Sequence, residues 1–385
     1  MSKLLSKMDI PLFIITIIYC ILGLIMIYSA SSVSAVILYD YTPYHYFIRQ
    51  AIFLIASFLV VFPIVISMPT RNYKVFAWPA VIILIISLAL LFVKGRVTNN
   101  VISWYDLGLF KLQPSEFAKS ILIVFSAVYY NGLLKRKVKN IYPYLIPLAV
   151  GVIVAGLVLM QPDLGSAAII GAIVFLIFIS IPNVRSNSIK VIKILGIGLV
   201  IAAITFLYTG SSLLSNSQLD RFNFKNPCSR YTERTGYQVC NGFIAINNGG
   251  ITGVGLGDST QKYLYLPESH TDFIFPIIVE ELGLIVGVLI ILGYGFILFR
   301  IYRIAKRSEN LRCSVLAYGT FWYLAAHIII NLLGVLALIP LTGVPLPLLS
   351  YGGSFTVNAL LMLFVVQRVN IENNINRTNR EIKSL

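Results

Sequence analysis

Ten apolar runs dominate this chain, lying near 11–31, 47–68, 75–93, 115–132, 143–160, 164–182, 191–208, 273–299, 314–338 and 355–369. An α-helix needs roughly 20 such residues to cross the hydrocarbon core of a bilayer. The runs therefore predict ten transmembrane helices. Charge supports this: only 12% of the 385 residues are charged, against about a quarter in soluble domains. So little charge cannot coat a water-soluble surface of this size. A soluble enzyme, a disordered chain and a disulfide-stapled secreted module are excluded. The first run is too long for a cleaved signal peptide and lacks its small-residue cleavage site. The expected fold is an all-α polytopic membrane protein, with residues 1–385 forming one membrane unit and 370–385 a short polar tail.

The formal charge of +15 indicates topology rather than a nucleic-acid partner. With both termini on the cytoplasmic side, 20 of the 30 Lys and Arg fall on inner segments, as the positive-inside rule requires. These include Lys135–Lys139 and the cluster Arg300, Arg303, Lys306, Arg307 and Arg312. The same placement puts a large loop, 210–272, on the outside between spans seven and eight. Loops of that length are usually functional or disordered. This one carries apolar stretches and a glycine series (Gly249, Gly250, Gly253, Gly255, Gly257), so a segment folded onto the membrane surface is expected. The glycines lack the spacing and the following Lys-Ser of a nucleotide loop and suggest a tight turn. Between spans nine and ten, Pro340, Pro345, Pro347, Gly352 and Gly353 specify non-helical backbone, which survives at membrane depth only against protein or a wet cavity. Such a segment makes a wall for a lipid-headgroup site.

Several motifs are too long to be membrane filler. They are Gln113-Pro-Ser-Glu116 with Lys119, Gln161-Pro-Asp-Leu-Gly-Ser166, Gly253–Gly257, Leu266-Pro-Glu-Ser-His-Thr-Asp-Phe-Ile-Phe275, Glu280-Glu-Leu-Gly283 and Leu341–Ser354. Together, in order and over the whole chain, they resemble the SEDS family (shape, elongation, division, sporulation). In Gly253–Lys262 and Tyr265–Glu268 the likeness is closer to the division members than to the elongation members. The resemblance implies a peptidoglycan glycosyltransferase polymerising lipid II at the outer face of the bacterial cytoplasmic membrane. It further implies a class B penicillin-binding protein as partner, with other divisome or elongasome membrane proteins nearby.

The chemistry asks for a base and for positive charge. A hydroxyl attacking an anomeric carbon gains from a positioned base. A departing diphosphate needs Arg, Lys or a divalent cation such as Mg or Mn. Asp272 is the candidate base, standing where the polar loop re-enters span eight and desolvation favours a protonated carboxyl. Spacing alone also fits a helix N-cap; the resemblance places the essential acid at this Asp. Glu116 and Lys119, three apart on one helix face, form either a self-neutralising pair or a cation near the diphosphate. Arg221 and Lys262 are further phosphate candidates, Arg221 being the one the resemblance favours. Glu280, some 80° round a helix from Asp272 at about 100° per residue, is expected to share its cavity, and Glu281 to bond a neighbouring helix. Ser350 belongs to the wall segment as a substrate contact; without His and Asp partners it is a poor nucleophile. His327 is expected to hydrogen-bond a helix neighbour.

The chain departs from the family pattern at Ser103, where a basic residue usually precedes Trp104, and at Cys228 and Cys240. The two cysteines share the outer loop, and a disulfide between them is expected; the alternative is two unrelated small apolar residues. Competing functions are a lipid II flippase or transporter, an elongation-type polymerase, and a non-catalytic scaffold.

Overall fold

The computed structural model describes residues 2–94, 96–98, 101–106, 108, 111–182, 184, 189 and 223–383. Among these residues eight helices are long and apolar enough to cross a membrane. They are α1 (Ile10–Tyr39), α2 (His45–Ser67), α3 (Thr70–Val93), α4 (Pro114–Lys135), α5 (Tyr142–Leu159), α8 (Ile274–Arg307), α9 (Leu311–Val335) and α10 (Gly353–Lys383). The expected sixth run is the shorter apolar helix α6 (Leu164–Ser180), and α7 (Arg234–Gly249) falls within the segment 210–272. The run expected at 191–208 lies outside the described residues, as does Arg221.

Packing separates lipid-facing from protein-facing sides. On α1, Ile10, Ile14, Ile18, Ile21 and Ile25 are all exposed, whereas Leu12, Tyr19, Met26, Ile27 and Ala30 are buried. Both stripes are apolar because hydrocarbon, not water, bathes the outer one. In α10, 78% of the most apolar window is buried, so it is the central helix of the bundle. The end of the bundle that carries Asp9 is interlocked: Asp9 caps α1 by accepting from Leu12 N at 3.0 Å and takes Nε–H of Arg300 at 3.1 Å. Gln367 of α10 brackets the same residue, accepting from Asp9 N and donating to Asp9 O.

The polar segment 370–385 is largely helical: α10 runs unbroken to Lys383, and Asn370 and Asn374 donate to Lys7 O. One expectation needs correction. The chain is mostly but not wholly helical, because Arg96–Thr98 (β1), Val101–Asp106 (β2) and Lys111–Leu112 (β3) form a small antiparallel sheet. Its Val, Ile, Thr, Trp and Tyr residues favour pleated backbone. Ser354 ties this sheet to α10 by accepting from Gln113 N and donating to Lys111 O, both at 3.2 Å.

The glycine series forms turns, and these turns also have a task within the bundle. Helix α8 is broken at Gly283, with φ 85° and ψ 167°, and residues 250–255 fill the break. Val254 N and Gly255 N donate to the carbonyls of Glu280 and Glu281 at 2.9 and 3.0 Å, while Leu284 N donates to Gly250 O at 3.0 Å. A break in a membrane helix orphans just such groups, and here the loop backbone satisfies them. The approach is so close that a Cβ at Gly253 would stand 2.3 Å from Glu281 O, and one at Gly283 2.3 Å from Ile251 O. Both residues also have positive φ, so glycine is required twice over.

Candidate functional site at the head of α8

Residues 268–273 form a tight turn ahead of α8, with Thr271 N and Phe273 N both donating to Glu268 O. Asp272 sits in this turn and is 8% exposed. It is not the helix cap: that position belongs to Phe273, which makes no side-chain capping bond. Asp272 Oδ1 lies 3.1 Å from Thr271 Oγ1, and Oδ2 faces Gly343. The Asp272 backbone is held as well. Asn331 of α9 donates both amide hydrogens at 2.8 Å, one to Asp272 O and one to Val344 O. One amide thereby joins the turn to the wall segment.

That wall runs without helix from Pro340 to Gly352. Ser350 is fully buried, and its Oγ accepts from Leu346 N at 2.8 Å, so its structural task is to close the segment on itself. Gln50 Oε1 accepts from Gly352 N. Tyr351 N donates to His270 O, and Arg49 reaches the Tyr351 side chain. Arg49 stands about one turn into the apolar helix α2, where a charge seldom stands without a partner.

One turn before Asn331, His327 holds the same segment. Its Nδ1 lies 3.4 Å from Pro345 O, and its Nε2 lies 3.1 Å from Lys119 Nζ. Those partners assign the tautomer: Nδ1–H donates to the carbonyl and Nε2 accepts from the ammonium. Lys119 in turn pairs with Glu116 Oε1 at 2.7 Å, and both side chains are buried. The partners of His327 are thus a cation on the neighbouring helix α4 and a carbonyl of the wall. A polar chain, Glu116–Lys119–His327–Pro345, links α4 and α9 to the wall.

Glu280 and Lys262 stand elsewhere. Fully buried Glu280 accepts from Asn248 Nδ2 at 3.0 Å, Thr260 Oγ1 at 2.9 Å and Gln261 N at 3.3 Å, and from Ser259 Oγ. Both its oxygens hold the loop that plugs the helix break, so the structure does not bring it to Asp272. Lys262 pairs with Glu281 Oε1 at 3.3 Å and donates to Gly257 O, and Ser29 of α1 donates to the same Glu281 oxygen at 2.6 Å. Helical angle alone missed this because Asp272 lies in the turn ahead of α8, which begins at Ile274. Among the described residues no group of three or more His, Cys, Asp or Glu side chains converges as a metal site.

His270 lines the outer side of the turn, its ring 4.5 Å from that of Tyr46 and 5.7 Å from that of Tyr351. Burial pushes its pKa down to about 4, against a smaller opposing pull from Glu268. The folded protein therefore holds this imidazole neutral where an unfolded chain would protonate it. Its contribution is fully present above pH 6.5 and is lost as pH falls toward 4. Between pH 7 and 5 this amounts to about 2 kcal/mol of stability. Thermal melting at the two pH values, compared with a His270→Asn variant, should show a larger acid destabilisation in the unmodified protein; equal shifts would contradict it.

Within the segment 210–272, Cys228 and Cys240 are joined as a disulfide, with Cα atoms 4.9 Å apart. The bridge fastens the turn Pro227–Arg230 to α7. Cys20 and Cys313 are free and buried. Closing a loop of this size is worth about 3 kcal/mol in the chain-entropy model. Alkylation of the unreduced protein followed by peptide mapping is expected to leave Cys228 and Cys240 unlabelled; labelled thiols at both would exclude the bridge.

Fold and site define a multi-pass helical membrane protein whose buried acid is held at one end of the bundle by a non-helical wall. The chain belongs to the Cell cycle protein family of FtsW, RodA and SpoVE, whose model matches residues 10–375. It is 33% identical over 375 residues to the Bacillus subtilis (strain 168) protein named "Probable peptidoglycan glycosyltransferase FtsW", covering 96% of this chain and 92% of that one. Its fold matches that of Thermus thermophilus rod shape determining protein RodA, with a TM-score of 0.66 and 26% identity, covering 94% of this chain and 96% of that one. It also matches a chain from a structure of a peptidoglycan synthase complex that coordinates polymerization and crosslinking. There the TM-score is 0.73 at 24% identity, covering 95% of this chain and 98% of that one.

Proposed function

We propose that this chain is a peptidoglycan glycosyltransferase of the division type, polymerising lipid II at the outer face of the bacterial cytoplasmic membrane. It has ten spans with both termini cytoplasmic and an outer loop over 210–272, and it works with a class B penicillin-binding protein. The observation that carries the reading is the buried Asp272, held by backbone and side chain beside the Pro340–Gly352 wall in a chain of this family.

Asp272 takes the proton of the acceptor sugar's C4 hydroxyl as its oxygen attacks the anomeric carbon of the lipid-linked donor. The bond from that carbon to the diphosphate breaks, and its electron pair leaves with the phosphate. Arg49 and Arg221 supply positive charge for the leaving group. Lys119 and Glu116 serve from beneath, fixing the wall through His327. Ser350 contributes by shaping the wall. The transport reading draws on the broken helix, a device of transporters; here the break is filled by the protein's own backbone rather than left to hold an ion or substrate.

Purified protein with its partner synthase and lipid II should yield glycan strands, resolved by length on a gel. Movement of lipid II across vesicles without any strand formation would favour the flippase instead.

A further inference from the structure

We propose that Thr271 and Glu268 form the path by which the proton collected by Asp272 leaves for the outer solvent. This rests on the reading of Asp272 as the base and goes beyond it. The base must be reset once per sugar joined, so every transferred proton has to depart before the next hydroxyl can be deprotonated. Asp272 has little solvent contact of its own, at 8% exposure. The acceptor sugar must also cover the approach to the carboxylate while it reacts. An exit through a neighbouring group avoids waiting for the product to move.

The geometry supplies that group. Thr271 Oγ1 lies 3.1 Å from Asp272 Oδ1 and 2.8 Å from Glu268 Oε2, with Glu268 O also at 3.1 Å. The hydroxyl has one proton and faces three acceptors; the nearest is the Glu268 carboxylate. It therefore donates toward Glu268 and keeps its lone pairs for a donor, which Asp272 becomes when protonated. Glu268 is exposed, so a proton arriving there meets water.

Glu268 also holds an unusual backbone conformation for its type, with φ 55°. A non-glycine residue in that region carries local strain that the surroundings must hold. The strained turn is what brings its carboxylate back over Thr271. A threonine that only closed the turn would need no carboxylate partner, since Glu268 O already accepts from Thr271 N and Phe273 N.

The step balances. Asp272 Oδ1–H passes its proton to Thr271 Oγ1, the Thr271 hydroxyl proton passes to Glu268 Oε2, and Glu268 releases it to water. Asp272 is again ionised, Thr271 again a hydroxyl, and no redox partner or further reactant is needed. Thr271 and Glu268 are positioning residues in this scheme: both act through Asp272. The other groups facing Glu268 are His270 and Tyr46.

The test uses the full-length protein with its partner synthase, following lipid II consumption at saturating substrate. Thr271→Val, which keeps shape and removes the hydroxyl, is expected to lower kcat about ten-fold, less than the 10²–10⁴-fold of a base that itself meets the substrate because Thr271 acts only through Asp272, with KM little changed. Thr271→Ser should restore the rate. Glu268→Gln, at an exposed position where folding is not at stake, should slow turnover similarly because its amide accepts a hydrogen bond but no proton. Added imidazole should accelerate Thr271→Val and Glu268→Gln but not the unmodified protein. Unaltered kcat in both variants overturns the relay, and so does a loss that neither Ser nor imidazole relieves. Asp272→Ala separates the two readings. If it polymerises normally the base assignment falls, and the relay with it; if it is inactive beside fully active Thr271→Val, the relay alone falls.

Discussion

Asp272→Ala is expected to abolish glycan polymerisation while the protein still inserts, folds and binds its partner. The size of the loss follows from the role. A positioned base contributes about 10²–10⁴-fold, and removing it leaves only whatever rate binding and leaving-group charge support. Loss by unfolding is not expected, because what holds the turn is mostly backbone. Asn331 bonds Asp272 O rather than the carboxylate, and the bonds from Thr271 N and Phe273 N to Glu268 O are untouched. Asp272→Asn is the sharper variant, since it preserves size and hydrogen bonding and removes only the ability to take a proton. Robust glycan product from either variant, with melting temperature unchanged, would show that the base lies elsewhere.

How much of this was legible in the sequence depended on the kind of signal. Apolar runs depend on hydration alone and survive without tertiary information, which is why eight of them appear as spanning helices. Periodicity did not register the break at Gly283, because the flanking residues are as apolar as any helix and the plug comes from 30 residues earlier in the chain. Glu280 was misplaced because the angle assumed a helix already running at Asp272, whereas α8 begins at Ile274; Asn248, Ser259 and Thr260 hold Glu280 in the plug. The sheet at Arg96–Leu112 was missed because short strands leave little pattern beside spans of 20 residues. Asp272 stood out because a carboxylate at the mouth of a span is rare, and its motif added what spacing could not. His327 gave no clue to Lys119, 208 residues away, since sequence separation hides contacts across a bundle.

The Glu116–Lys119 pair should show the largest effect on stability. Neither side chain has solvent to turn to, Glu116 being 3% exposed and Lys119 1%. Taking two charges out of water costs several kcal/mol each, recovered only through close pairing and added hydrogen bonds. Here the ammonium binds Glu116 Oε1 at 2.7 Å and His327 Nε2 at 3.1 Å, while Glu116 Oε2 has no hydrogen-bond partner among the described residues. The carboxylate is therefore only half satisfied and leans on Lys119. Lys119→Ala strands that carboxylate, and Glu116→Ala strands the ammonium beside a neutral imidazole. Each is expected to cost about 3–5 kcal/mol. The double variant leaves neither charge and should cost clearly less than the sum of the two, with a coupling of about 0.5–3 kcal/mol between contacting residues. His327 gives the cycle a functional readout as well. Without Lys119 its Nε2 loses a donor, its hold on Pro345 O loosens, and the wall beside Asp272 shifts. Lys119→Ala should therefore lower polymerisation even where the protein remains folded, and Lys119→Met, which keeps the length without the charge, should not rescue it. Additive losses in thermal unfolding would mean the two charges do not lean on each other, and full activity in Lys119→Met would detach the pair from the wall.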